Sequence, residues 1–289
     1  MKRKKREVLA GWIFLLPDLV GLSIFVILPA ILGFNISLYN WSGLGKMKFA
    51  GFSNYTKMLT DPIFLKSLKV TIEYVFMFVP LNFLLSLSLA LLIKKPSKGI
   101  TFFRTVYFAP AAISLVSIAF VWSYIFQQNG FFNSILSIFG ISPQPLLGSM
   151  GQALYIVLAL SLYSSIGYFM VIFLAGLNDI PEEYYDAARV DGASYWQTFW
   201  HITFPLLKPT SFFVLIISLI QGFQLFDQVY VLTGGGPFYA TSTVVFYAFQ
   251  TAFEYYQFGY AAAMDFLMFI ILVILSLILY KILKGGEVK

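Results

Sequence analysis

The chain has 289 residues, 59% of them hydrophobic and 11% charged, with a net charge of +6; an ordinary soluble domain is about 25% charged. It has no cysteine and one histidine, His201, which excludes a disulfide framework, Cys-based metal sites and His clusters. The positive charge sits in short segments flanking apolar runs, as in membrane topology and unlike a nucleic-acid-binding face.

No residue between Thr105 and Asn178 carries a formal charge. A bilayer-spanning helix needs about 20 apolar residues, and backbone groups in lipid must be satisfied internally. Runs of this length therefore read as helices. A membrane β-barrel would alternate in polarity over segments of about 10 residues, and no such alternation is present.

In chain order, Lys2-Arg3-Lys4-Lys5-Arg6 opens either a signal peptide or an uncleaved first span. The span is the better reading. The apolar stretch continues to Tyr39, and Asp18 and Pro29 interrupt it without a small-x-small cleavage site. Six spans are expected, at about 11–38, 70–93, 105–126, 153–177, 210–232 and 261–282. Residues 1–10 form a basic cytoplasmic N-terminus, and 11–289 form one transmembrane domain.

With the N-terminus inside, the inside segments hold Lys2 to Arg6, Lys94, Lys95, Lys98, Arg104, Arg189, Lys208, Lys281, Lys284 and Lys289. The outside segments hold only Lys46, Lys48, Lys57, Lys66 and Lys69. This asymmetry makes the chain a multi-pass protein of the cell membrane with both termini cytoplasmic.

Two regions carry chemistry. The first is the inside loop from Asp179 to Pro209, which predicts two short helices. Asp179 can cap the first, Pro181 suits its first turn, and Glu182 and Glu183 complement the dipole. Gly192 stops it, and Ser194 with Gln197 forms a capping box for the second. Trp196, Phe199 and Trp200 share a face suited to the membrane interface. Ala187, Ala188, Gly192 and Ala193 would let a partner surface approach closely. The same pattern fits an interfacial helix with no partner, and does not choose between the two.

The second region is polar and intramembrane. Gln221, Gln224 and Gln228 share a helical face in the fifth span with Asp227 beside them; Ser161, Tyr163, Ser164, Ser165 and Tyr168 do so in the fourth. Polar groups at membrane depth mark substrate paths, although Ser and Gln also serve as interhelical hydrogen bonders. Glu73, Asp227 and Asp265 fall near outer ends of spans, and Asp18 lies deeper.

The loop residues Ile180-Pro181, Asp186-Ala187-Ala188, Asp191-Gly192-Ala193, Phe199, Ile202, Pro205 and Pro209 resemble the EAA loop of ABC-type importer permeases, in the form of the carbohydrate branch. Asp186 stands where that family usually has Glu. Gly51-Phe52-Ser53-Asn54-Tyr55 with Asp61-Pro62, Phe103-Arg104-Thr105 with Pro110, Leu232-Thr233-Gly234-Gly235-Gly236-Pro237 and Gly259-Tyr260-Ala261-Ala262-Ala263 extend the resemblance over nearly the whole chain.

The resemblance implies an all-α membrane protein of six transmembrane helices, the type I ABC importer permease fold, with a cytoplasmic coupling helix. It implies half of a sugar translocation path working by alternating access. Asp186, Ala187, Ala188, Asp191, Gly192 and Ala193 would couple to an ATPase, and Ser164, Tyr168, Gln221, Gln224, Asp227 and Gln228 would line the path. The implied partners are a second permease subunit, a cytoplasmic ATPase dimer holding ATP and Mg, an external solute-binding protein and membrane lipid, with no nucleic acid. No cofactor or metal is expected in this chain. Gly45-Lys46 lacks the glycine spacing and following Ser/Thr of a phosphate-binding loop, and Gly234-Gly235-Gly236-Pro237 reads as a turn. A secondary transporter or channel would show an inverted repeat or matched broken helices, and an intramembrane enzyme would need a catalytic constellation; neither is found in the sequence.

Overall fold

The computed structural model describes the backbone of residues 2–94 and 98–283, and side chains from Gly11 onward. Lys95, Lys284 and Lys289, counted above among the inside charges, lie outside the described residues. The helices are α1 Lys2–Leu22, α2 Leu28–Ser37, α3 Ser53–Met58, α4 Pro62–Ile93, α5 Ile100–Ala112, α6 Leu115–Phe126, α7 Phe131–Ile138 and α8 Ala153–Asn178. They continue as α9 Glu182–Val190, α10 Tyr195–Thr198, α11 Phe204–Leu206, α12 Lys208–Phe223, α13 Asp227–Leu232, α14 Val244–Phe253 and α15 Phe258–Leu283. Among the described residues, Gly11–Ser37, α4, α8 and α15 are long and apolar enough to cross a membrane. Two bent pairs, Ile100–Ala112 with Leu115–Ile138 and Tyr195–Leu206 with Lys208–Phe223, bring the number to six if each pair is one span.

Prolines mark two places where these helices depart from regular geometry. Pro29 has no N–H to donate and crowds the carbonyl four residues back. The chain widens into a π turn at Ser23–Ile27 just before it. Pro110 weakens the end of α5 in the same way, and Ile113 leaves the helix in an extended conformation. The expected third span, 105–126, is therefore two helices and not one; α5 and the segment Leu115–Ile138 meet at 96°. α4 starts at Pro62, eight residues before the expected boundary. Its 32 residues measure roughly 48 Å at about 1.5 Å per residue, well beyond the ~30 Å hydrocarbon core.

Two compact units are present. The first comprises the chain up to Asp61 with Ala248–Leu267. In it β1 (Tyr39–Asn40) pairs antiparallel with β2 (Lys48–Phe49), Tyr39 opposite Phe49. Asn54, buried, donates from Nδ2 to the carbonyls of Ser37 at 2.8 Å and Tyr39 at 3.1 Å. The Tyr260 hydroxyl donates to Asp61 at 2.8 Å, and the Lys57 ammonium lies 4.0 Å from the Tyr260 ring centre. A Cβ on Gly259 would overlap the Tyr39 carbonyl. The 51–62 and 259–263 motifs of the sequence are thus two sides of one structural junction.

The second unit comprises Pro62–Tyr247 with the chain from Met268 on. α4 and α8 are its central pair, joined by α5 and α12. Lipid offers no hydrophobic drive for helix association, so small residues and interhelical hydrogen bonds take over. Gly167 lets α8 touch the α5 backbone at Tyr107, and Gly176 lets it touch Thr210 of α12. Asn82 of α4, fully buried, donates to Ser218 Oγ of α12 at 2.9 Å and accepts from Ser165 Oγ of α8 at 3.0 Å. Asn82→Leu removes both bonds, each worth roughly 0.6 kcal/mol in a membrane helix bundle. We expect its detergent melting temperature to fall by a few degrees; an unchanged melting curve would show that Asn82 does not join the helices.

Candidate functional site

A cavity of about 410 Å³ lies in the second unit, within the ~300–1,000 Å³ of small-molecule sites. α4 contributes Tyr74 and Phe78; the α5–α6 break contributes Pro110, Ala111, Ile113 and Leu115. Ser161, Ser164, Ser165 and Tyr168 come from α8, and Gln221, Gln224, Leu225, Asp227 and Gln228 from the end of α12 and the start of α13. All six residues expected to line a substrate path are on this wall.

Their arrangement differs from the expected one. Gln221, Gln224, Asp227 and Gln228 do not lie on one continuous helix. α12 ends at Phe223, and α13 starts at Asp227. The break is held open by Thr243, whose Oγ1 donates to the freed Leu225 carbonyl at 2.7 Å. The turn between the two helices is what points residues from both into one space. Tyr163 is also displaced from the expected α8 face: it packs on Trp122 at a ring separation of 5.6 Å and does not line the cavity.

Hydrogen bonding separates wall residues that are occupied from those that are free. Ser164 and Ser165 donate to the Ser161 carbonyl, and Gln228 Nε2 donates to Ser161 Oγ at 3.2 Å. Among the described residues, the side chains of Gln221, Gln224 and Asp227 and the Tyr168 hydroxyl make no hydrogen bond. These four present donors and acceptors to the cavity, beside the Tyr168 ring. Tyr74 and Phe78 were not foreseen, because an aromatic residue on an apolar helix reads alike whether it meets lipid, core or ligand. Pro110 was the available signal for the α5–α6 break.

The loop from Asp179 to Pro209 is built differently from its expected start. Asp179 closes α8, its N–H bonded to the Ala175 carbonyl, and does not cap α9. Pro181 sits one residue before α9, with no side-chain cap, and Glu182 and Glu183 occupy the first turn. The stop is as expected. Gly192 has φ +72°, Ala193 N–H bonds to Ala188 O at 2.9 Å, and Gly192 N–H bonds to Arg189 O at 3.1 Å. These are the two bonds of a Schellman motif, which needs the left-handed residue. Ser194 and Gln197 form the reciprocal capping box of α10.

The chain then widens into a π turn, Phe199–Thr203. The aromatic face divides there: Trp196 and Trp200 are exposed, whereas Phe199 packs on a buried cluster. That cluster joins Leu87, Ala90 and Ile93 of α4 with Phe169, Phe173 and Leu177 of α8, Ile180 and Leu207 of the loop and Val214 of α12. Tyr185 of α9 also packs on it, with the Lys94 ammonium 4.0 Å from its ring centre. The loop is therefore seated on the ends of α4, α8 and α12.

A cleft of about 420 Å³ is lined in part by Ala187, Ala188, Asp191, Gly192, Ala193 and His201. Asp186 stands off it and pairs with Arg189 one turn along. Among the described residues, a Cβ at Gly192 would meet nothing within 4 Å, and Val190 is 88% exposed. Sequence reading did not single out Val190, since one valine carries no signal until the fold turns it outward.

Residues 82–285 match the family model described as binding-protein-dependent transport system inner membrane component. The probable ABC transporter permease protein YesP of Bacillus subtilis is 36% identical over 282 residues, covering 96% of this chain and 91% of that protein. The trehalose/maltose transport system permease protein MalF of Thermococcus litoralis is 34% identical, covering 97% and 96%. The fold matches that of a bacterial alginate ABC transporter solved in complex with an alginate pentasaccharide-bound periplasmic protein. The TM-score is 0.84 at 23% identity, with 99% of each chain covered.

Proposed function

The chain belongs to the binding-protein-dependent transport system inner membrane components, and from that premise we propose that it forms half of a sugar translocation path. It is an ABC importer permease of the type I fold, a transport subunit and not an enzyme; ATP is hydrolysed by a separate subunit. Family membership sets aside the secondary-transporter and intramembrane-enzyme readings. The observation that carries the sugar reading is the convergence of unbonded amide, carboxylate and phenol groups with an aromatic ring on one cavity. Hydroxyl-rich rings are bound by such groups through hydrogen bonds and stacking. The name of the Thermococcus relative, a trehalose/maltose system, supports the same class.

In this proposal the chain makes six spans in the expected order, with the third made by α5 and α6 and the fifth by α12, which meets the segment Tyr195–Leu206 at 68° and is followed by α13. Both termini are cytoplasmic. A second permease subunit completes the path, an external solute-binding protein delivers the sugar, and an ATPase dimer binding ATP and Mg docks on α9. Asp186 to Ala193 form that docking surface. ATP-driven closure of the ATPase moves α9, and the shared cluster of Ile180, Leu207, Phe173 and Leu177 passes the motion to α8 and α12 as a rigid displacement. Those helices hold most of the cavity's polar wall, so a push at the loop alters the site directly.

Tyr168→Ala and Gln224→Leu test the site. Each removes a cavity group that makes no hydrogen bond among the described residues, so assembly with the partner subunits should persist. One lost hydrogen bond of about 0.5–1.5 kcal/mol corresponds to a several-fold drop in uptake rate at limiting sugar. Normal uptake kinetics in both variants would remove these residues from the path.

A further inference from the structure

Among the described residues, the cavity wall contains one ionisable acid, Asp227, and no Lys, Arg or His. Asp227 makes no hydrogen bond or ion pair among the described residues. The nearby polar side chains offer it little competition, since Gln228 is turned to Ser161, while Gln221 and Gln224 can donate to a ligand as readily as accept from one. The wall therefore presents a carboxylate on an exposed, ligand-accessible residue with no cation beside it, so a second anion brought against it is repelled.

We infer that Asp227 makes this site select against anionic sugars, so that the solute carried is neutral or cationic. The inference rests on the sugar reading above and narrows it. A neutral sugar can donate a hydroxyl to the Asp227 carboxylate in a charge-assisted hydrogen bond. A uronate or sugar phosphate entering the same space would bring a second anion with no cation on this wall to offset it. The fold itself does not impose the choice, because a transporter of this fold was solved with an alginate-loaded periplasmic protein, and alginate is a polyuronate. The plainer role for Asp227 is structural: it is the first residue of α13, and an acid there complements the helix dipole. That role concerns stability and would not make binding depend on ligand charge.

The test uses the assembled transporter in nanodiscs, without the solute-binding protein, and measures binding by calorimetry. The probes are maltotriose and lactose, each as the parent sugar, as the uronate and as the isosteric uronamide. For a sugar that binds, the uronamide should bind at least about tenfold more tightly than the uronate, or roughly 1.4 kcal/mol. Asp227→Asn should bring that ratio below about threefold, while Asp227→Glu, which keeps the charge, should preserve it. Both variants are checked for a monodisperse complex. Equal binding of uronate and uronamide by the wild type overturns the inference, as does equal failure of both or an unchanged ratio in the Asn variant. If neither parent sugar nor any derivative binds, the sugar reading itself fails.

Discussion

Replacing Gly192 with valine is expected to cut ATP-driven uptake by about tenfold or more, while the chain still inserts and assembles. Two effects act together. Gly192 sits at φ +72°, and a side chain in the left-handed region costs roughly 1–2 kcal/mol, more when β-branched. The Schellman bonds from Gly192 and Ala193 back to α9 depend on that conformation. The valine would also stand on the proposed ATPase-docking surface, among Ala187, Ala188 and Ala193. Among the described residues nothing lies within 4 Å of its Cβ position, so internal packing is spared and the loss should fall on coupling. Gly192→Asn separates the effects, because asparagine tolerates the left-handed conformation yet still adds bulk. If close approach is what matters, both variants hydrolyse ATP without transport in proteoliposomes. If conformation is what matters, the Asn variant recovers. Normal transport by Gly192→Val would disconnect this loop from the ATPase.

The local structure of the loop from Asp179 to Pro209 was legible in the sequence because its signals are local. A left-handed stop needs glycine, and a capping box needs Ser and Gln three residues apart, so Gly192, Ser194 and Gln197 declared themselves. Asp179 misled for the same reason: it has the chemistry of a cap, but the end of α8 claimed it. The cavity was half legible. Its polar residues stood out against apolar helices, yet their geometry depends on breaks at Ile113 and at Gln224–Phe226. The first has Pro110 as a nearby cause. The second has none in its own stretch; it is stabilised by Thr243, fifteen or more residues further on. Long-range support of this kind leaves no periodic trace, and a six-span reading draws one straight helix through it. Tyr163 shows the limit of helical-face reasoning: one aromatic partner, Trp122, is enough to take a residue out of the site.

Gly167→Leu is expected to have the largest effect on the fold. A Cβ at Gly167 would overlap the Tyr107 carbonyl and sit 3.0 Å from the Phe108 Cα. Both are backbone atoms, so no rotamer change relieves the contact and α5 must move away from α8. Overpacking of this kind costs about 1–3 kcal/mol or more. At roughly 2–4 °C per kcal/mol, the purified permease complex should melt about 5–10 °C lower. Uptake should fall with it, because Pro110, Ala111 and Ile113 of the cavity wall follow directly on the displaced segment. Gly222→Ala supplies the comparison. There the nearest atoms are side-chain carbons of Val75 at 3.2 Å and Phe78 at 3.5 Å, which can shift by a few tenths of an ångström. The expected order of damage is Gly167→Leu, then Gly167→Ala, then Gly222→Ala. A Gly167→Leu protein that melts with the wild type would mean that α5 and α8 are not in backbone contact, and the placement of the α5–α6 break on the cavity wall would fall with that contact.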